Sequence, residues 1–142
     1  MSQLLTHRLQ GHGDEVVVLL NGGMMTYPSW APITEDLLDA GYRVLGCDFR
    51  GQLLTPGPAP EHIEDHAPDV IALLDALDIE RPHLLGTSYG GEVAVVAAAT
   101  QPERFRSLTV VTAVDRTPPG MKEGSQRMAK LVREVLAGQG SQ

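Results

Sequence analysis

The sequence predicts an α/β fold in three layers, with a mostly parallel sheet that helices cover on both faces. Three observations lead to this prediction. Short runs rich in Val and Leu recur along the chain, segments with helical periodicity separate them, and a helix-breaking residue follows each helical segment. Because strands and helices alternate strictly, right-handed crossovers are expected to place helices on both faces of one sheet.

Four short apolar runs are typical of strands that are buried on both faces. They lie at residues 16–20, 43–47, 83–85 and 108–114. Residues 4–9 could form an additional leading strand, joined to the first buried strand through Gly-His-Gly at 11–13. In a parallel sheet the chemistry is expected at the carboxyl ends of the strands.

Helical segments separate the predicted strands. Their apolar positions are Trp30, Ile33 and Leu37 in the first, Val70, Leu73, Leu74 and Leu77 in the second, and a small-residue run over 92–99 in the third. The breakers that follow them are Gly41, Pro82 and Pro102. Each helix is therefore expected to stop just before the next strand.

The composition limits the kind of protein this can be. A length of 142 residues fits one globular core, and a net charge of −7 with a pI near 5.1 argues against a nucleic-acid partner. The single cysteine, Cys47, cannot form an internal disulfide. The longest apolar run, residues 16–20, is too short to span a bilayer. A cytoplasmic protein without a membrane segment is expected.

A possible nucleophile lies at residues 86–90, Gly-Thr-Ser-Tyr-Gly. This is the pattern G-x-S-x-G, and it lies between a predicted strand and a predicted helix, the context in which the pattern indicates a catalytic serine. The sharp turn is expected to expose Ser88 and to place the backbone N–H of Tyr89 where it stabilises an oxyanion. The second N–H donor should come from the loop after the first buried strand. Gly23 is the preferred donor and Met24 is the alternative. Met24 is also a candidate for contact with the substrate.

From the first buried strand to the strand at 108–114, the chain resembles the N-terminal part of the α/β-hydrolase family, which includes serine esterases and lipases. The resemblance is carried by V-V-V-L-L-N-G-G, C-D-F-R-G-Q-L-L-T, P-H-L-L-G-T-S-Y-G-G and A-x-x-x-P-E-R-F. Asn21 stands where the family more often has histidine, and Leu53 stands where its second turn glycine is usual. Asp48 and Arg50 are expected to organise the turn, without a catalytic role.

The resemblance implies acyl transfer to water through an acyl-enzyme on Ser88, with a carboxylic ester or a related small-molecule acyl compound as substrate. It implies no metal and no organic cofactor. In this family the serine is followed by an Asp or Glu and then by a histidine. Asp115, at the end of the last strand, is the candidate acid, although a turn-forming Asp is the alternative.

The histidine that should act as the base does not follow the serine. The five histidines, His7, His12, His62, His66 and His83, all precede Ser88. His83 begins the strand that Ser88 follows, and should therefore lie at the opposite edge of the sheet. His62 and His66 are expected to be solvated residues of the helix after the D-F-R-G-Q turn, with contact between His62 and the serine as the less favoured alternative. The base is therefore expected to come from sequence other than these 142 residues.

Two regions are expected, a hydrolase core over residues 1–117 and an amphipathic helix at the lid position over 118–142. The apolar face of that helix contains Met128, Leu131, Val132, Val135 and Leu136. The strand at 108–114 would be an open apolar edge, which invites pairing. A second copy of the chain, making a homo-oligomer, or a complementing C-terminal segment is expected to cover it. The alternative to an enzyme is a non-catalytic binding or interaction module with the same fold.

Overall fold

The computed structural model describes residues 3–113 and 118–139. The strands within these residues are β1 (His7–Gln10), β2 (Val16–Leu20), β3 (Arg43–Cys47), β4 (His83–Thr87) and β5 (Ser107–Val111). They form one sheet in the order β1-β3-β2-β4-β5. β1 pairs antiparallel with β3, and all other neighbours are parallel. The predicted α/β class with a mostly parallel sheet is confirmed.

The helices lie where the periodicity predicts them. They are α1 (Ala31–Asp39), α2 (His66–Ala76), α3 (Tyr89–Thr100) and α4 (Pro119–Gln139). A short 3-10 turn ending at Trp30 precedes α1, so the tryptophan comes directly before the helix. Ile33, which the periodicity grouped with Trp30, is 44% exposed.

The sheet separates two apolar clusters, and β2 contributes to both because alternate side chains of a strand point to opposite faces. Val16, Val18 and Leu20 pack on the side of α2 and α3. Val17 and Leu19 pack with Trp30 and with residues of α1. All five residues of β2 are buried. Helices therefore cover both faces, and β2 holds the loop that follows it at the centre of the sheet.

The last described strand has an exposed apolar surface. Leu108, Val110 and Val111 are 41%, 39% and 44% exposed. β5 ends at Val111, earlier than the predicted strand, whose last residue, Val114, lies outside the described residues. That a second copy or a further segment covers this edge stays a prediction.

Helix α4 is amphipathic, as its sequence predicts. The five residues of its predicted apolar face are between 47% and 62% exposed. None of the helices in the described part of the chain is both long enough and apolar enough to cross a membrane.

Candidate active site

Ser88 lies at a sharp corner between β4 and α3. Its backbone has φ +50° and ψ −118°, a conformation that residues other than glycine rarely adopt. The Ser88 N–H donates a hydrogen bond of 2.9 Å to the carbonyl of Val111, so the neighbouring strand holds the corner. Ser88 is exposed at the carboxyl end of β4. The predicted strand-turn-helix corner is present.

The glycines beside Ser88 are required because main-chain atoms approach each other closely there. A Cβ on Gly86 would collide with the carbonyl oxygen of Gly90. A Cβ on Gly90 would collide with the carbonyl oxygens of Leu20 and Asn21 at the end of β2. The two glycines therefore let α3 begin directly against the sheet, which brings Ser88 next to the loop after β2.

The two predicted oxyanion donors lie close together at this corner. The position of a Cβ built on Gly23 is 4.0 Å from the Cβ of Tyr89. Neither the Gly23 N–H nor the Tyr89 N–H has a hydrogen-bond partner among residues 3–113 and 118–139. Met24 is fully exposed beside them. Two neighbouring residues of this corner therefore carry N–H groups without a partner in the described part of the chain. Their part in catalysis, like that of Met24, stays a prediction.

Asn21, which is fully buried, anchors the loop after β2. The indole N–H of Trp30 donates to Asn21 Oδ1 over 2.8 Å. Asn21 Nδ2 donates to the Cys47 carbonyl over 2.9 Å and to Asp48 Oδ1 over 3.0 Å. Asn21 thus joins the ends of β2 and β3 by hydrogen bonds.

The turn after β3 is held by Asp48 and Arg50, which supports the expected structural role of both. Besides Asn21, the Asp48 carboxylate accepts hydrogen bonds from the backbone N–H groups of Tyr27 and Leu54. Arg50 pairs with Asp69 on α2 at 2.9 Å.

The described histidines do not supply a base to Ser88. His83 contacts Ser107 Oγ at 2.7 Å and Glu15 at 3.3 Å, and it begins β4, so it lies at the other edge of the sheet. His62 is exposed. No hydrogen bond joins the Ser88 hydroxyl to a histidine within the described residues. Asp115, the candidate acid, lies outside the described residues.

The expectation that His66 is solvated is wrong. It is 2% exposed, its Nε2 is hydrogen-bonded to the Tyr89 hydroxyl at 2.7 Å, and its ring lies 4.8 Å from that of Phe49. Its Nδ1 is buried without a partner among the described residues. The sequence held the signal, because position 66 is four residues before Val70 and so continues the apolar stripe of α2.

Burial lowers the pKa of His66 from 6.5, and Arg50 lowers it further, against the opposing effect of Asp69 and Asp65. In the unfolded chain the imidazole takes up a proton near 6.5, but in the fold it does so only at lower pH. The free energy of unfolding therefore decreases as pH falls below about 6.5, and the decrease is complete once pH has passed the lowered pKa of the folded state.

We expect His66→Gln, which can still hydrogen-bond Tyr89, to reduce this loss. The variant should flatten the fall in the free energy of unfolding below about pH 6.5, by at most about 1.4 kcal/mol per pH unit. Urea unfolding between about pH 8 and pH 5 measures it. The matched control is His62→Gln, the same substitution at an exposed position. An unchanged slope in His66→Gln would contradict the assignment.

The described residues offer neither a second nucleophile at Cys47 nor a metal site. Cys47 is free but fully buried, and burial raises the pKa of its thiol to about 12, so it is not a nucleophile at ordinary pH. Among the described residues no three His, Cys, Asp or Glu side chains converge in a way that could hold a metal ion.

Comparison with known proteins places this arrangement among hydrolases. A profile of the alpha/beta hydrolase fold matches residues 15–139. A candidate carbamate hydrolase named RutD from Variovorax paradoxus is 38% identical over 112 residues, 77% of this chain. The 2-hydroxy-6-oxononadienedioate/2-hydroxy-6-oxononatrienedioate hydrolase of Paraburkholderia xenovorans is 35% identical over 133 residues, 87% of this chain.

A solved esterase shares the fold. The thermophilic esterase from Thermogutta terrifontis superposes with a TM-score of 0.76 at 30% identity, over 91% of this chain and 48% of its own. The present chain spans 42% and 46% of the lengths of the two curated relatives. It therefore corresponds to less than half of each of these proteins.

Proposed function

This chain belongs to the α/β-hydrolase fold family, and on that premise we propose that it is a serine hydrolase of carboxylic esters or related acyl compounds. Ser88 is the nucleophile that forms the acyl-enzyme, and the N–H groups of Gly23 and Tyr89 stabilise the oxyanion. Hydrolase activity in general is supported by the family and by the hydrolase names of its relatives. The acyl-enzyme mechanism is the step that we add.

The observation that carries the proposal is the strained, exposed Ser88, with two nearby N–H groups that have no partner among residues 3–113 and 118–139. A left-handed backbone at a serine costs free energy, of the order of 1–3 kcal/mol, and is retained where the position of the side chain matters. Unpartnered N–H groups at a helix start and in a glycine loop suit a carbonyl oxygen that gains negative charge. The three groups together suit attack on an acyl carbon.

The substrate class follows from what the site can polarise. An oxyanion pair polarises any acyl carbonyl, so esters, carbamates and the carbon–carbon bond next to a ketone are all within reach of this chemistry. The names of the two relatives refer to a carbamate and to oxo-dicarboxylates. We propose small esters as the first substrates to test, because Met24 and the neighbouring Met25 offer apolar contacts.

The general base is proposed to come from sequence other than these 142 residues, and its acidic partner from outside the described residues. All five histidines precede Ser88 in the sequence. Asp115 remains the proposed acid. Without a positioned base, an oxyanion hole and binding alone retain about 10³- to 10⁴-fold catalysis over water. Slow but measurable turnover is therefore proposed for this chain by itself.

The test is labelling with a fluorophosphonate probe, together with hydrolysis of p-nitrophenyl acetate. Because no described residue of this chain supplies a base to Ser88, we expect the probe to attach slowly to the peptide that contains Ser88, as located by mass spectrometry. We expect Ser88→Ala to remove both the labelling and the esterase activity. Thermal melts of the two proteins must agree, so that loss of fold is not the cause. Labelling elsewhere, or ester hydrolysis that survives in Ser88→Ala, would overturn the proposal.

A second candidate is a non-catalytic binding or interaction module. Two observations favour it. No described histidine hydrogen-bonds Ser88, and the exposed apolar face of α4 could dock a partner. The same experiment separates the two candidates. No labelling of the folded protein, with no effect of Ser88→Ala, would favour the module.

A further inference from the structure

We propose that Gln52 is a positioning residue, which aims the Gly23 N–H at the developing oxyanion by holding the carbonyl of Gly22. The inference rests on the proposed function, and it adds a residue that has no contact with substrate. Gln52 follows Gly51 in the turn after β3, thirty positions from the loop that it holds.

The side-chain amide of Gln52 uses both of its ends. Its Oε1 accepts hydrogen bonds from the Phe49 N–H at 2.9 Å and from Asn21 Nδ2 at 3.2 Å. Its Nε2 donates to the Gly22 carbonyl oxygen at 3.1 Å. The reversed amide would put a donor against two donors and an oxygen against the Gly22 carbonyl. The chemistry of these neighbours therefore fixes the amide orientation.

The Gly22 carbonyl and the Gly23 N–H belong to the same peptide unit. That unit is planar and trans, so its C=O and N–H groups point in opposite directions. A donor that holds the carbonyl on one side therefore fixes the direction of the N–H on the other side. The Met25 N–H also donates to the Gly22 carbonyl at 3.1 Å, but Met25 belongs to the same short loop and moves with it.

Gln52 connects this loop to a part of the structure that does not move with it. Its oxygen accepts the hydrogen bond from the Phe49 N–H, which belongs to the turn after β3. The Phe49 side chain is fully buried. Glycine at 22 and 23 leaves the peptide free to rotate. The hydrogen bond from Gln52 therefore adds a restraint from outside the loop to the one that the Met25 N–H provides within it.

The decisive variant is Gln52→Glu. A carboxylate keeps an oxygen for Phe49 and Asn21, but its second oxygen repels the Gly22 carbonyl instead of donating to it. We expect the second-order rate of Ser88 phosphonylation at about pH 8 to fall about 10- to 100-fold relative to the parent. The rate ratio should return toward one as pH falls and the introduced carboxyl becomes protonated, because its O–H can then donate to Gly22.

A residue that only stabilised the turn would not produce this recovery with falling pH. Gln101→Glu, which adds the same charge at the end of α3, is the matched control and should leave the rate ratio near one at every pH. A Gln52→Glu variant that labels at the parent rate at about pH 8, or that stays equally slow at every pH, would overturn the inference.

A second measurement does not depend on reactivity. In the parent, NMR should show a downfield Gly22 carbonyl carbon and a Gln52 side-chain amide that exchanges slowly with solvent. In Gln52→Glu the Gly22 carbonyl and Gly23 amide resonances should shift at about pH 8 and return at low pH. Unshifted resonances would overturn the inference. A parent in which Ser88 is not labelled would instead overturn the proposed function, so the two failures are distinguishable.

Discussion

Gly90→Ala is expected to lower the free energy of unfolding by about 3 kcal/mol or more, because the added methyl group has no space. Its Cβ would lie 2.5 Å from the carbonyl carbon of Leu20 and closer still to the carbonyl oxygens of Leu20 and Asn21. These atoms belong to the main chain at the end of the central strand, so no side-chain rotation relieves the overlap. α3 would have to move away from the sheet, and the Ser88 corner would move with it.

Urea or thermal unfolding measures this loss, and a helical glycine in open space provides the control. Gly124 lies in α4 with nothing within 4 Å of an added Cβ. Gly124→Ala should leave the free energy of unfolding unchanged or raise it by up to about 1 kcal/mol, since alanine favours a helix. If Gly90→Ala were as stable as the parent, the close approach of α3 to β2 would be wrong.

The sequence predicts well those strands and turns whose conformation is determined by residues that are neighbours in the chain. The residues of β2 are apolar without interruption because both faces of that strand are covered, and that pattern identifies a parallel, central strand. The corner at Ser88 is likewise predictable, because a strand, two glycines around one serine and a small-residue helix follow each other directly. β1 is less clear in the sequence, since an edge strand of four partly exposed residues has a weak pattern.

What the sequence does not reveal depends on residues that are far apart in the chain. Gln52 is an ordinary polar residue of a turn until the fold brings it within 3.1 Å of the Gly22 carbonyl. For His66 the sequence contains one half of the reason for burial, its place in the apolar stripe of α2, and lacks the other half, the hydrogen-bond partner on α3. A histidine at the start of a helix is usually exposed, and only its contact with Tyr89 from α3 makes burial tolerable.

Asp48→Asn is expected to cost about 2 to 3 kcal/mol of unfolding free energy, since one buried N–H donor would face an amide that cannot accept its hydrogen bond. Asp48 is fully buried. One carboxylate oxygen accepts from the Tyr27 N–H at 2.6 Å and from Asn21 Nδ2 at 3.0 Å, and the other accepts from the Leu54 N–H at 3.1 Å. Asparagine has one acceptor oxygen, so its NH₂ group must meet the donors on one side.

The matched comparison is Asp69→Asn, which removes the charge from a carboxylate that is also paired but partly exposed. Arg50 and Asp69 side chains are 41% and 25% exposed, and breaking such a pair should cost less than about 1 kcal/mol. Chemical denaturation of both variants at one pH gives the difference. Equal losses would mean that the hydrogen bonds of Asp48 contribute no more than a surface ion pair. A larger loss in Asp48→Asn would mean that the buried acceptors of Asp48 contribute more to stability than a surface ion pair, because they join the turn after β3 to Asn21 and Tyr27.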